Sequence, residues 1–230
     1  MTILWDWNGT LLDDTEAAVA ALNAMLGRRG LPPIGMDFYR RNFAFPVRPF
    51  YEAIGVRLDH EDWDALAREY HSTYNAQPAR LNAEASAAIG LADAAGARQC
   101  VVSALRQDFL EAAVARFGLA GRFLAVRGTD NLDGGSKLGR VRELVAEMRD
   151  PDVVLIGDSL HDKESADAAG AQCVLFGGGS HDPARLRKVA PVGDTLTAAV
   201  RLALAAFSKS VGCGGTSPGG NASLMTVPVL

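Results

Sequence analysis

Short apolar runs recur along the chain at residues 3–5, 99–103, 123–127, 153–157 and 173–176. Helix-like stretches lie between them, at 83–95, 106–117, 138–149 and 163–169. Fully apolar strands alternating with helices predict an α/β fold with a parallel sheet covered on both faces. Right-handed crossovers place the loops that follow the strands along one edge. Ligands bind at that carboxyl edge in such sheets. A polar residue directly after an apolar run is therefore a candidate for chemistry, and Asp6, Ser103 and Asp158 hold that position.

Residues 15–80 break the alternation. Ala17, Ala20, Ala21, Ala24 and Met25 recur at helical spacing. A segment rich in proline and aromatics, 42–55, interrupts the helical pattern. This predicts a helical insertion at 15–80 in a core built from 1–14 and 81–207. From Ser208 onward the chain is rich in Gly, Ser and Thr, which predicts a flexible tail over 208–230 without assigned function.

Composition narrows the functional classes. The 230 residues are 48% hydrophobic and 22% charged, enough apolar material for a full core. The net charge of −4 leaves no footprint for nucleic acid or anionic membrane. No apolar run approaches a membrane span, and the N-terminus lacks a signal-peptide pattern. Cys100, Cys173 and Cys213 are odd in number and far apart, so neither a disulfide framework nor a zinc site is indicated. A cytoplasmic monomer or homodimer is expected.

Four segments carry candidate chemistry. In 5–14, WDWNGTLLDD, a carboxylate at a strand tip can attack phosphorus and split one difficult displacement into two. Gly9 allows a tight turn, and Thr10 offers a hydroxyl and an N–H to phosphate oxygens. The alternative is an Asn-Gly turn with an Asp helix cap. In 100–108, Ser103 lies between a strand and a helix, either as a phosphate ligand or as a helix cap. Lys137 opens a helix, and it is one of only four lysines. A fixed ammonium there would neutralise phosphate and carboxylate; the alternative is a solvated charge. In 153–171, Asp158 and Asp162 are close enough to repel and need a cation, and their hard oxygens favour magnesium. Their alternative is a helix cap and a surface acid.

Together these pieces resemble the haloacid dehalogenase superfamily, in particular its phosphatase-like members with a small helical cap. Asp6-Trp7-Asn8-Gly9-Thr10, Ser103, Lys137 and the run from Gly157 to Asp162 supply its four motifs. The resemblance implies a Rossmann-like parallel-sheet core with a helical cap insertion. It also implies a magnesium-dependent phosphatase of a small phosphorylated metabolite that passes through an aspartyl-phosphate. Asp6 would attack phosphorus. Asp6, Asp158 and the Asn8 carbonyl would bind Mg2+, with Asp162 joining or supporting the shell. Ser103 and Lys137 would hold the phosphoryl oxygens, assisted by Gly9 and Thr10.

One departure stands out. Phosphatases of this type carry a second aspartate two residues after the nucleophile, as general acid and base. Here that residue is Asn8, which does neither. The help it forgoes is worth about 10²–10⁴-fold in rate. A good leaving group, another donor such as His161 or a cap residue, or a role in binding phosphorylated ligands or in regulation would each fit. The absence of lysine before Lys137 argues against phosphonate cleavage through a cap Schiff base. Asn8 and the Asp158/Asp162 pair argue against haloacid dehalogenation. The insertion carries Arg28, Arg29, Arg40, Arg41, Arg48 and Arg57. Arg40, Arg41 and Arg48 flank the Pro/aromatic segment, and at least one of them, Arg48 foremost, is expected to contact an anionic or polar part of the substrate; the alternative is a solvated helix face.

Overall fold

The computed structural model describes residues 1–130 and 136–212, with the backbone alone over 208–212. The chain opens with β1 (Thr2–Trp5), four buried residues, and soon enters the two-residue β2 (Leu12–Asp13). Four helices follow: α1 (Thr15–Arg28), α2 (Met36–Asn42), α3 (Val47–Ala53) and α4 (Trp63–Asn75), with a 3-10 turn at Leu58–His60. The chain returns as β3 (Arg80–Leu81), antiparallel to β2, with Leu12 opposite Leu81. Entry to and exit from the helical segment are thus hydrogen-bonded neighbours. The helices bury a core of their own, including Leu22, Met25, Phe50 and Leu66.

The remaining elements alternate: α5 (Ala85–Ala94), β4 (Arg98–Arg106), α6 (Gln107–Arg116), β5 (Ala125–Thr129), α7 (Leu138–Met148), β6 (Val153–Gly157), α8 (Leu160–Ala169), β7 (Gln172–Phe176), α9 (Pro183–Leu186), β8 (Val192–Gly193) and α10 (Leu196–Gly212). Six strands form one parallel sheet in the order β5-β4-β1-β6-β7-β8. Side chains alternate across a strand, so a buried strand needs apolar residues on both faces. Ile3, Trp5, Val154 and Ile156 pack into one core, while Leu4 and Leu155 pack into the other. That is why these strands read as continuous apolar runs. β1 lies between β4 and β6, so the carboxyl ends of the central strands adjoin. Asp6 is fixed there by its N–H bond to the Ile156 carbonyl, 2.8 Å.

Some expectations shift. β5 begins at Ala125, not at residue 123: Phe123 is buried outside the strand and Leu124 is 65% exposed. β4 runs on to Arg106, but its regular pairing stops at Val102. Ser103 is therefore no helix cap, since Arg106 precedes α6. α8 starts at Leu160, three residues before the predicted start, because Ser159 and Asp162 close a capping box. α10 continues through the predicted start of the tail to Gly212, anchored by Ala199, Val200, Ala203 and Phe207 on the core. The rest of the predicted tail, 213–230, lies outside the described residues, as do Gly134 and Gly135 before Lys137. No helix among the described residues is long and apolar enough to cross a membrane.

Candidate active site

Asp6, Asp158 and Asp162 converge at the carboxyl edge of β1 and β6. Each is buried, and each offers a carboxylate oxygen within 4.8 Å of the others. The Lys137 ammonium contacts Asp6 Oδ1 and lies 2.5 Å from Asp162 Oδ1. Lys137 stands at the N-cap position of α7, as the sequence predicts, with 4% of its side chain exposed. It is a buried ion-pair partner, not a solvated charge. Thr10 donates its hydroxyl to Asp6 Oδ2 at 3.2 Å, with Asp158 Oδ1 at 3.4 Å. Asp162 Oδ2 accepts from the N–H groups of Asp158 and Ser159 and from the Ser159 hydroxyl, at 3.1, 2.9 and 2.6 Å. The same residue thus caps α8 and faces Lys137.

Two glycines make the close approach possible. Gly9 has φ +75°, and a Cβ on it would stand 2.3 Å from Asp158 Oδ2. A Cβ on Gly157 would stand 2.2 Å from Asp162 Cγ.

Three carboxylates face one ammonium, and the electrostatics reflect the imbalance. Burial pushes the Asp6 carboxyl well above its ordinary value; Lys137 opposes this, while Asp162 and Asp158 add to it. Burial and Asp162 raise Asp158 to about 7. Burial acts against the charge on Lys137, but Asp162 and Asp6 outweigh it and hold the ammonium above its ordinary value. Burial likewise opposes ionisation of Asp162, and Lys137 overrides it. A divalent cation would relieve the repulsion, and an all-oxygen donor set with an uncompensated negative charge fits magnesium. Asp6 and Asp158 could hold it with the Asn8 backbone carbonyl, and Asp162 Oδ1, paired with Lys137, stands beside them.

Asn8 is tied in place. Its amide Nδ2 donates to Asp14 Oδ2 at 2.8 Å and to the Tyr74 hydroxyl at 3.0 Å. Its Oδ1 accepts from the Ser103 hydroxyl at 3.3 Å. Asp14 occupies the N-cap position of α1 but makes no side-chain cap. Its carboxylate turns inward, accepting from the Gly9 N–H at 2.6 Å and from the Tyr74 hydroxyl. The Thr10 N–H bonds the Trp7 carbonyl at 3.3 Å. The amides of Gly9 and Thr10 therefore have internal acceptors, and the phosphate contacts expected of them are not the ones the turn provides. His161 is half in the site: its Nε2 accepts the Lys137 N–H at 3.4 Å. Burial and then Lys137 hold its pKa below the ordinary value.

Above this floor lies a cavity of about 160 Å³ between the core and the helical segment, reached by Asp6, Asn8, Ser103 and Lys137. Arg48 does not line it. Its guanidinium sits 4.2 Å from the Trp63 ring centroid, away from the position expected of a substrate contact. Arg28 and Arg29 pair with Glu69 and Glu61, and Arg57 pairs with Asp59. The Arg40 side chain reaches the Gly178 carbonyl at 3.2 Å.

Sequence reasoning missed several participants. The Ser180 N–H donates to Asp158 Oδ2 at 2.5 Å from the loop after β7. Asp14 had a faint signal as the second acid of a DD pair. Tyr74 had none, because 60 residues separate it from Asp14.

Comparison with known proteins agrees with this geometry. The haloacid dehalogenase-like hydrolase family matches residues 3–167. The phosphoglycolate phosphatase of Caulobacter vibrioides is 32% identical over 184 residues, covering 76% of this chain and 78% of that one. The tyrosine-protein kinase PtkA of Mycobacterium tuberculosis is 28% identical over 185 residues, but the match spans only 62% of its length. A haloacid dehalogenase-like hydrolase from Streptococcus pneumoniae superposes with a TM-score of 0.73 at 18% identity, covering 90% of this chain and 97% of that one. The expected enzyme class, a phosphoric monoester hydrolase of this type, stands with these relatives. With the family matched over most of its length and its four motif positions gathered at one sheet edge, this chain belongs to the haloacid dehalogenase-like hydrolases.

Proposed function

We propose that the protein is a magnesium-dependent phosphatase of a small phosphorylated metabolite, with Asp6 as nucleophile. The observation that carries this reading is the buried cluster of Asp6, Asp158 and Asp162 around Lys137, opening into a cavity. Asp6 attacks phosphorus, and the ester oxygen leaves with its electron pair. Water then attacks the aspartyl-phosphate and frees the carboxylate. Lys137 orients Asp6 and offsets the negative charge that gathers at the phosphoryl group. Ser103 and Thr10 present hydroxyls beside it. Bound Mg2+, held by Asp6, Asp158 and the Asn8 carbonyl, would supply electrostatic stabilisation of the phosphoryl oxygens. A cytoplasmic setting belongs to the same reading, since Cys100 and Cys173 are buried free thiols, which suit a reducing compartment.

A second reading has a specific observation behind it. The locked Asn8 amide suits a protein that binds a phosphorylated ligand and turns it over slowly, if at all. Phosphate release from acetyl phosphate and p-nitrophenyl phosphate separates the two. The phosphatase reading expects release that needs magnesium, stops with EDTA and is lost in Asp6→Asn. Tight ligand binding without release across a broad set of phosphometabolites would replace it with the binding role.

A further inference from the structure

The cavity that receives the substrate has walls unlike its floor. Tyr39, Phe45, Tyr51, Trp63 and Tyr70 of the helical segment line it. The rings pack on one another: Tyr51 and Trp63 at 6.0 Å between centroids, Tyr70 and Tyr74 stacked at 5.9 Å, Phe45 against the His161 ring at 5.2 Å. No lysine or arginine of the segment lines the cavity among the described residues; Lys137 brings its only ammonium, and it is engaged by Asp6 and Asp162. Asp14 contributes a further carboxyl to the same wall. A substrate with a second anionic group beyond its phosphate would bury that charge without a fixed cationic partner. An uncharged aromatic ring fits both the chemistry and the size: an apolar cavity of ~150 Å³ takes up benzene.

Asn8 points the same way from independent chemistry. Its amide has partners on every side and carries no proton to give. An ester that departs without protonation needs an acidic parent alcohol. A phenol has an ordinary pKa of about 10, whereas aliphatic alcohols lie nearer to the ~15.7 of water.

We infer that the substrate is a phosphomonoester of a single-ring aromatic alcohol. Its ring occupies the aromatic cavity and its phosphate meets Asp6, Ser103 and Lys137. The inference rests on the phosphatase reading above. Asp6 forms the new bond to phosphorus as the phosphorus–aryl oxygen bond breaks, and the phenoxide leaves with the electron pair. Water then displaces the Asp6 carboxylate. One of its protons stays with inorganic phosphate and the other is taken up by the phenoxide, so that aryl phosphate plus water gives phenol plus phosphate.

The test uses the full chain with magnesium and four substrates: acetyl phosphate, phenyl phosphate, cyclohexyl phosphate and phosphoglycolate. Acetyl phosphate is small and has a good leaving group, so its turnover reports the phosphatase chemistry alone. With that in hand, kcat/KM for phenyl phosphate should exceed that for cyclohexyl phosphate by about 10²-fold or more, within the range of missing acid catalysis. Phosphoglycolate should lag behind phenyl phosphate. Inhibition constants for phenylphosphonate and methylphosphonate isolate binding from bond cleavage. The phenyl compound should bind on the order of tenfold tighter, and Phe45→Ala should erase much of that margin. Phosphoglycolate turned over as well as phenyl phosphate, or equal binding of the two phosphonates, would overturn the aryl assignment. Absence of turnover on all four substrates would overturn the phosphatase reading itself.

Discussion

Asn8 is the residue at which family pattern and local packing meet. Its substitution to aspartate restores the acid expected of a phosphatase, yet Asp14 accepts a hydrogen bond from the very atom that would become a carboxylate oxygen. Two carboxyls would then face each other in a buried site, with repulsion and a lost donor costing about 1–3 kcal/mol. Asn8→Asp alone should therefore lower the unfolding midpoint and fail to improve turnover. Asn8→Asp with Asp14→Asn reverses the polarity of the pair and keeps the amide–carboxylate bond. It should restore stability and raise hydrolysis of poor leaving groups, such as alkyl phosphates, more than of aryl phosphates. Parallel thermal melts and phosphate-release rates on the three variants check this. A single Asn8→Asp as stable as the parent and faster on alkyl phosphates would show that Asp14 does not constrain the position. Sequence made Asn8 conspicuous but concealed its partners, because Tyr74 is brought to it only by the packing of α4 on α1. Arg48 sits off the cavity wall for a related reason. A guanidinium suits anions and aromatic faces equally, and which one it meets depends on where α3 sets it beside Trp63.

Among the elements, the strands were the most legible. β1 and β6 are buried on both faces, so they read as apolar runs that end at the polar Asp6 and Asp158, whereas the two-residue strands β2, β3 and β8 left no such run. Helix starts were less legible, as at α8, where Ser159 and Asp162 serve a cap and a site together. The docking of α2 on the core left no pattern at all, since it runs largely through backbone. Arg185 donates to the carbonyls of Arg40 and Arg41 at 3.3 and 2.6 Å, and the Asp182 N–H reaches the Arg40 carbonyl at 3.0 Å. These bonds hold the helical segment against the loop that also carries Ser180. Partly exposed bonds of this kind contribute about 1 kcal/mol in all, or roughly fivefold in an opening equilibrium. Arg185→Ala should accelerate amide exchange in Met36–Asn42 by about that factor and raise KM, with the global unfolding midpoint nearly unchanged. Exchange rates identical to those of the parent would mean that aromatic contacts, such as Phe43 on His181, suffice to hold the segment.

At the scale of the whole molecule, the acidic cluster couples folding, metal and pH. Burial and Asp162 hold Asp158 at about 7 against an unfolded value of 3.8, and burial raises Asp6 as well. Between about pH 4 and 7 the metal-free folded state thus keeps protons that the unfolded chain has lost. By linkage its stability falls as pH rises through that window. His161 and His181 act oppositely. Burial, helped by Lys137, lowers the first; burial and then Arg185 take the second to about 4, so both favour the folded state as pH rises. A melt against pH alone therefore mixes opposing contributions. The difference between melts with and without magnesium brings out the carboxylates, because the metal must displace their protons. Above pH 7, Asp158 is already ionised, and magnesium at a hundredfold excess over Kd should stabilise by about 2.7 kcal/mol. Below pH 7, each proton displaced weakens apparent binding about tenfold per pH unit. At fixed magnesium, the rise in Tm should be several degrees at pH 8 and shrink toward zero by pH 5.5. In Asp158→Asn the increment should be small at both values. An increment equal at pH 5.5 and pH 8 would show that magnesium does not compete with protons for Asp158, and that the cluster is balanced by Lys137 alone.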